Sequence, residues 1–122
     1  MPRVYTDRII HRMAEPALLE RLRALIEAPP GGDAAPSLAF LEDSLTDGYA
    51  RALALEAERA RVAKSIGKLA AVEGDDAEQK TRELSSLSQR LARAETELTT
   101  LRDTLTQLRV RAMSVRAALV ST

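Results

Sequence analysis

Apolar residues recur at alternating steps of three and four along most of the chain, and that rhythm divides it into three helical segments. In the last segment Leu84, Leu87, Leu91, Ala94, Leu98, Leu101, Leu105, Leu108, Ala112, Val115 and Leu119 keep the step for five heptads without a polar interruption. A 3.5-residue repeat held this long drifts against the helical turn, so the seam stays on a partner helix only through left-handed supercoiling. The middle segment carries Leu38, Leu41, Leu45, Gly48, Ala52, Leu55, Arg59, Val62, Ile66 and Leu69 in the same rhythm. Arg59 is its one charged member. The first segment, from about Tyr5 to Ala28, gathers Ile9, Ile10, Met13, Ala17, Leu18, Leu22, Leu25 and Ile26 on one face.

Two breaks separate these segments. Pro29-Pro30-Gly31-Gly32-Asp33-Ala34-Ala35-Pro36 cannot be helical, because its prolines lack amide donors and its glycines favour other dihedrals. Glu73-Gly74-Asp75-Asp76 joins a helix-ending glycine to acids that suit the next N-terminus. Ser37 is placed as an N-cap for the middle segment. Pro16 predicts a bend inside the first. The expected organisation is an N-terminal amphipathic segment over 1–28, a Pro/Gly linker over 29–36, and a hairpin over 37–122 with helices at about 37–73 and 76–120.

The short second break forces the two long helices to turn back antiparallel. At 1.5 Å per residue they would extend about 50 and about 65 Å. Charge agrees with this pairing. Glu42, Asp43 and Asp47 open the middle segment, while Arg109, Arg111 and Arg116 close the last with no acid after Asp103. Gly48 and Ala52 lie on the seam, where small residues permit close approach of the backbones. The expected fold is all-α: a kinked N-terminal helix followed by a long antiparallel coiled-coil hairpin, with a helical bundle completed by dimerisation. The first segment reaches only the open half. Along the distal half, about Glu58 to Ala92, Val62, Ile66, Leu69, Leu84, Leu87 and Leu91 are therefore expected to meet a partner, either a second copy or another helical protein. The first segment, hinged by Pro16 and the linker, is expected to move.

Composition narrows the chemistry. Lys plus Arg and Asp plus Glu both total 18, so the net charge is zero and a dedicated nucleic-acid binder is not expected. Fifteen Arg against three Lys points to a GC-rich bacterial coding sequence. Cysteine is absent, which removes disulfides and thiolate sites. With no Trp, two Tyr and one Phe, an aromatic-lined pocket for a small molecule is not expected either. His11 has only Glu15 at helical ligand spacing, too few groups for a metal. Gly31-Gly32 lacks the Lys-Ser/Thr of a phosphate loop. The Ser and Thr residues of the last segment have no His beside them to act as a base. Charged residues interrupt every apolar run, so no membrane span or leader is expected and the cytoplasm is the expected location.

The run Glu58-Arg59-Ala60-Arg61-Val62-Ala63-Lys64-Ser65-Ile66-Gly67-Lys68 locally resembles the end of the long first helix in the all-helical chorismate mutases. The resemblance covers about a dozen residues and implies a cluster of cations gripping a dicarboxylate. The family's Leu-Arg-x-x-Ile-Asp signature has no counterpart upstream, and its later lysine falls on Ala70. In gross architecture the expected hairpin is similar to small actinobacterial proteins that bind a sigma factor with cyclic di-GMP, although neither long helix carries their Glu-x3-Ser-x2-Arg-x3-Gln-x3-Asp pattern. Arg59, Arg61, Lys64 and Lys68 are accordingly read as an anion contact or as a register device, the commoner use of a polar seam residue. The expected function is that of a non-catalytic, self-associating interaction module, adaptor or regulator, without cofactor or metal. A transcriptional regulator, or a small helical enzyme, is the alternative.

Overall fold

The computed structural model describes residues 17–74 and 76–121. Among them the chain is all-helical, with α1 over Ala17–Glu27, α2 over Leu38–Ala71 and α3 over Ala77–Ser121, and no strand. The bend at Pro16, the apolar positions Ile9, Ile10 and Met13, and His11 lie outside the described residues.

Local chemistry explains where each helix begins. Ser37 caps α2: its Oγ accepts from the Phe40 amide at 3.1 Å while its carbonyl accepts the first helical bond, from Leu41, at 3.0 Å. Asp76 does the same for α3, its Oδ1 accepting from the Gln79 amide at 2.9 Å and its carbonyl from Lys80 at 3.1 Å. Between α1 and α2 the linker turns at Gly32, whose φ of 83° is open to glycine at no steric cost. The Ala35 amide closes that turn onto the Gly32 carbonyl at 3.2 Å.

The described residues divide into two compact units, one formed by 17–51 together with 101–121, the other by 52–100. Among the described residues the first unit is three-helical. Leu18, Leu22 and Leu25 of α1, Leu41 and Leu45 of α2, and Leu101, Leu105, Leu108 and Ala112 of α3 form its buried core. Within it α2 and α3 run antiparallel, because Glu42 pairs with Arg116 while Gly48 lies against Leu105. α1 is antiparallel to α2: Leu22 meets Gly48 beside Leu105 while Ile26 meets Arg111, so α1 runs with α3, and Arg21 joins Asp47 at 2.6 Å. Gly48 is a point of close approach: a Cβ there would overlap Leu105 Cδ2 and lie 3.4 Å from Leu22 Cδ1. The missing side chain lets three helices meet.

Among the described residues the second unit has two helices. Ala52, Leu55, Val62, Ala94 and Leu98 are its buried apolar residues. Arg90 of α3 reaches Glu58 of α2 at 3.5 Å, and Lys80 donates to the Ala70 and Val72 carbonyls at 3.2 and 2.6 Å. These contacts make the two helices antiparallel here as well. Lys80 also satisfies carbonyls left without amides at the end of α2, where a cation suits the helix dipole.

Candidate interaction surfaces

The six seam residues expected to meet a partner do not share one environment. Val62 is 2% exposed and is already covered by its own chain. Ile66 and Leu69 of α2 and Leu84, Leu87 and Leu91 of α3 are half-buried. Two helices cover only the inward side of a seam. Val62 lies nearer the middle of the pairing, whereas the other five keep part of their apolar surface in solvent. Val72, beyond the end of α2, is exposed in the same unit.

The four cations of α2 do not converge. Arg61, Lys64 and Lys68 are exposed and spaced i, i+3, i+7, which places them within one narrow sector of the helix. Arg59 lies on the opposite side, half-buried, and makes no ion pair among the described residues. Neither Glu83 nor Glu95 of α3 pairs with it. Glu83 instead accepts from Gln79 Nε2 at 2.9 Å. A shallow cavity of about 200 Å³ does exist in this unit, lined by Leu55, Glu58, Arg90, Arg93, Ala94 and Glu97. Its two carboxylates balance its two guanidinium groups, so it offers an anion no net attraction.

The three-helix unit holds features that seam reading passes over. Of the acids at the start of α2, Glu42 pairs with Arg116, but Asp47 is taken by Arg21 of α1. Arg111 turns away from the acids to the end of α1. Along α3 a second apolar stripe, Val110, Met113, Ala117 and Val120, lies on the exposed side. Its step of three, four and three is present in the sequence, interleaved with the seam it accompanies. Beside it, Ile26 and Pro30 face Val110, Arg111, Val115 and Ala118 across a groove of about 360 Å³.

Among the described residues no three His, Asp or Glu side chains gather into a metal-binding group, and no helix is long and apolar enough to cross a membrane. No family model, no curated protein and no solved structure matches the chain.

Proposed function

We propose that this chain is a non-catalytic helical interaction module of the cytoplasm that self-associates through its two-helix unit. In this reading α2 and α3 form a coiled-coil hairpin, and two copies complete a four-helix bundle over the distal seam. The observation that carries it is the half-burial of Ile66, Leu69, Leu84, Leu87 and Leu91 on helices that have no third neighbour within their unit. A seam of this kind gains free energy whenever another apolar face covers it. Covering the exposed remainder of five aliphatic side chains contributes about 1 kcal/mol each, or about 10 kcal/mol over two copies. That sum is comparable with the roughly 4–15 kcal/mol lost in rigid-body freedom on association. Self-association is therefore expected to depend on concentration rather than to be permanent.

The test is solution mass by light scattering across the micromolar range, for the parent chain and for Leu87→Glu. The parent is expected to move towards twice the monomer mass as concentration rises. Leu87→Glu, which buries a carboxylate in the contact, is expected to stay monomeric. A parent chain that remains monomeric and fully helical throughout would count against self-association.

A further inference from the structure

The C-terminal half of α3 has two apolar faces with different fates. Leu105, Leu108 and Ala112 are buried in the three-helix unit. Val110, Met113 and Val120 point away from it, at 61%, 62% and 80% exposure, and Ala117 continues the same line. Their spacing is that of a coiled-coil seam, one side chain wide. The groove of about 360 Å³ between this helix and Ile26 and Pro30 runs alongside, so a ridge and a hollow lie next to each other. A helix carrying bulky aliphatic side chains is complementary to such a surface.

Charge selects the occupant. From Thr104 to Ser121 α3 carries no Asp or Glu. Arg109, next to Val110, is exposed and makes no ion pair among the described residues. Arg116 follows Met113 by one turn fraction, its guanidinium shared with Glu42. Two copies meeting through this face would bring together the charges of Arg109 and of Arg111, which lines the groove and bonds only neutral carbonyls; that disfavours a symmetric contact. Residues 1–16 carry Arg3, Arg8 and Arg12 against Asp7 and Glu15, again an excess of the wrong sign. A bilayer surface is poorly matched too, since the face has neither Lys nor Trp nor Phe and is narrow. We propose that Val110, Met113, Ala117 and Val120, with the adjoining groove and Arg109, dock an amphipathic helix of a different protein whose apolar stripe is flanked by carboxylates.

The probe is a pair of labelled synthetic helices of about three heptads, with Leu at a and d and either Glu or Lys at e and g. Binding to the full chain is read by fluorescence anisotropy. The Glu-flanked helix is expected to bind at least about tenfold more tightly than the Lys-flanked one, with affinity falling as salt rises. Met113→Glu and Arg109→Glu are each expected to weaken it about tenfold, with helicity unchanged because both side chains are exposed. Arg109→Glu should also reverse the preference between the two helices. Leu87→Glu should leave binding intact, which separates this surface from self-association through the other unit. Equal binding of the two helices, indifference to Met113→Glu, or no binding up to about 1 mM would overturn the proposal. So would tight binding to phosphatidylserine vesicles that Met113→Glu abolishes and the Glu-flanked helix does not compete.

Discussion

Arg111 on α3 closes the C-terminal end of α1, donating from Nη1 to the Ile26 carbonyl at 2.6 Å and from Nη2 to the Pro29 carbonyl at 2.5 Å. The need for it is written in the local sequence. A helix that ends at Glu27 would ordinarily be closed by amides two and three residues later, and those positions are Pro29 and Pro30. Neither has an amide hydrogen. A guanidinium from a remote helix supplies the missing donors, in the place where positive charge also suits the helix dipole.

Arg111→Ala is therefore expected to cost about 2 kcal/mol, the scale of losing two charge-assisted bonds to carbonyls, of which the one to Ile26 is part-buried and the one to Pro29 exposed. Arg111→Lys should recover less than half, because one ammonium on a flexible stem cannot span both acceptors as the planar fork does. Urea unfolding gives the loss. Hydrogen exchange in α1 gives its location, with amides of Leu22 to Glu27 losing protection first. A loss below a few tenths of a kcal/mol would mean that solvent replaces the guanidinium without penalty.

Gly48 and Gly67 both lie inside α2 and should respond to alanine with opposite signs. At Gly67 an added Cβ meets nothing within 4 Å, so helix propensity alone operates and Gly67→Ala is expected to stabilise by about 1 kcal/mol. At Gly48 the Cβ overlaps Leu105 Cδ2 and comes 3.3 Å from its Cγ. Leu105 is 3% exposed, so its side chain can yield only by repacking within the core. Overpacking of this kind costs about 1–3 kcal/mol and outweighs the same propensity gain. Gly48→Ala is expected to lower the thermal midpoint, and Gly67→Ala to raise it. Parallel increases in both would mean that the helices separate easily at Gly48.

Ser44 is 1% exposed, and its Oγ has no hydrogen-bond partner among the described residues. Burial of a hydroxyl without a partner costs about 1–3 kcal/mol, and alanine is also the better helix former. Ser44→Ala is accordingly expected to stabilise by about 1 kcal/mol in chemical denaturation. Destabilisation instead would reveal that the hydroxyl is satisfied in solution.

The all-helical class was legible because helix periodicity is a property of the backbone. A residue's place on one face follows from its number alone. Leu41, Leu45, Ala52, Leu55, Leu98, Leu101, Leu105 and Leu108 are buried where the rhythm of threes and fours puts them. The cap at Ser37 was legible for a similar reason, since the hydroxyl acts on an amide three residues away. Beyond Val62 the rhythm continues but burial does not, because it marks an apolar face without saying how many helices cover it.

Pair selection belonged to the tertiary structure. Three acids and three arginines at one end of the long helices suggested a ladder between them, and only Glu42 with Arg116 makes such a rung. Asp47 goes to Arg21, 26 residues earlier, and Arg111 goes to a carbonyl 85 residues away. Such choices depend on how each helix is rotated about its axis and on where the linker returns α1. Those rotations must satisfy the whole buried core at once, including the close contacts of Leu22 and Leu105 with Gly48. Local residue order thus dictates which residues form helices and which face of each is apolar. Partner choice, and the exposure of the second stripe on α3, had to await the packing, because they are properties of several segments at once.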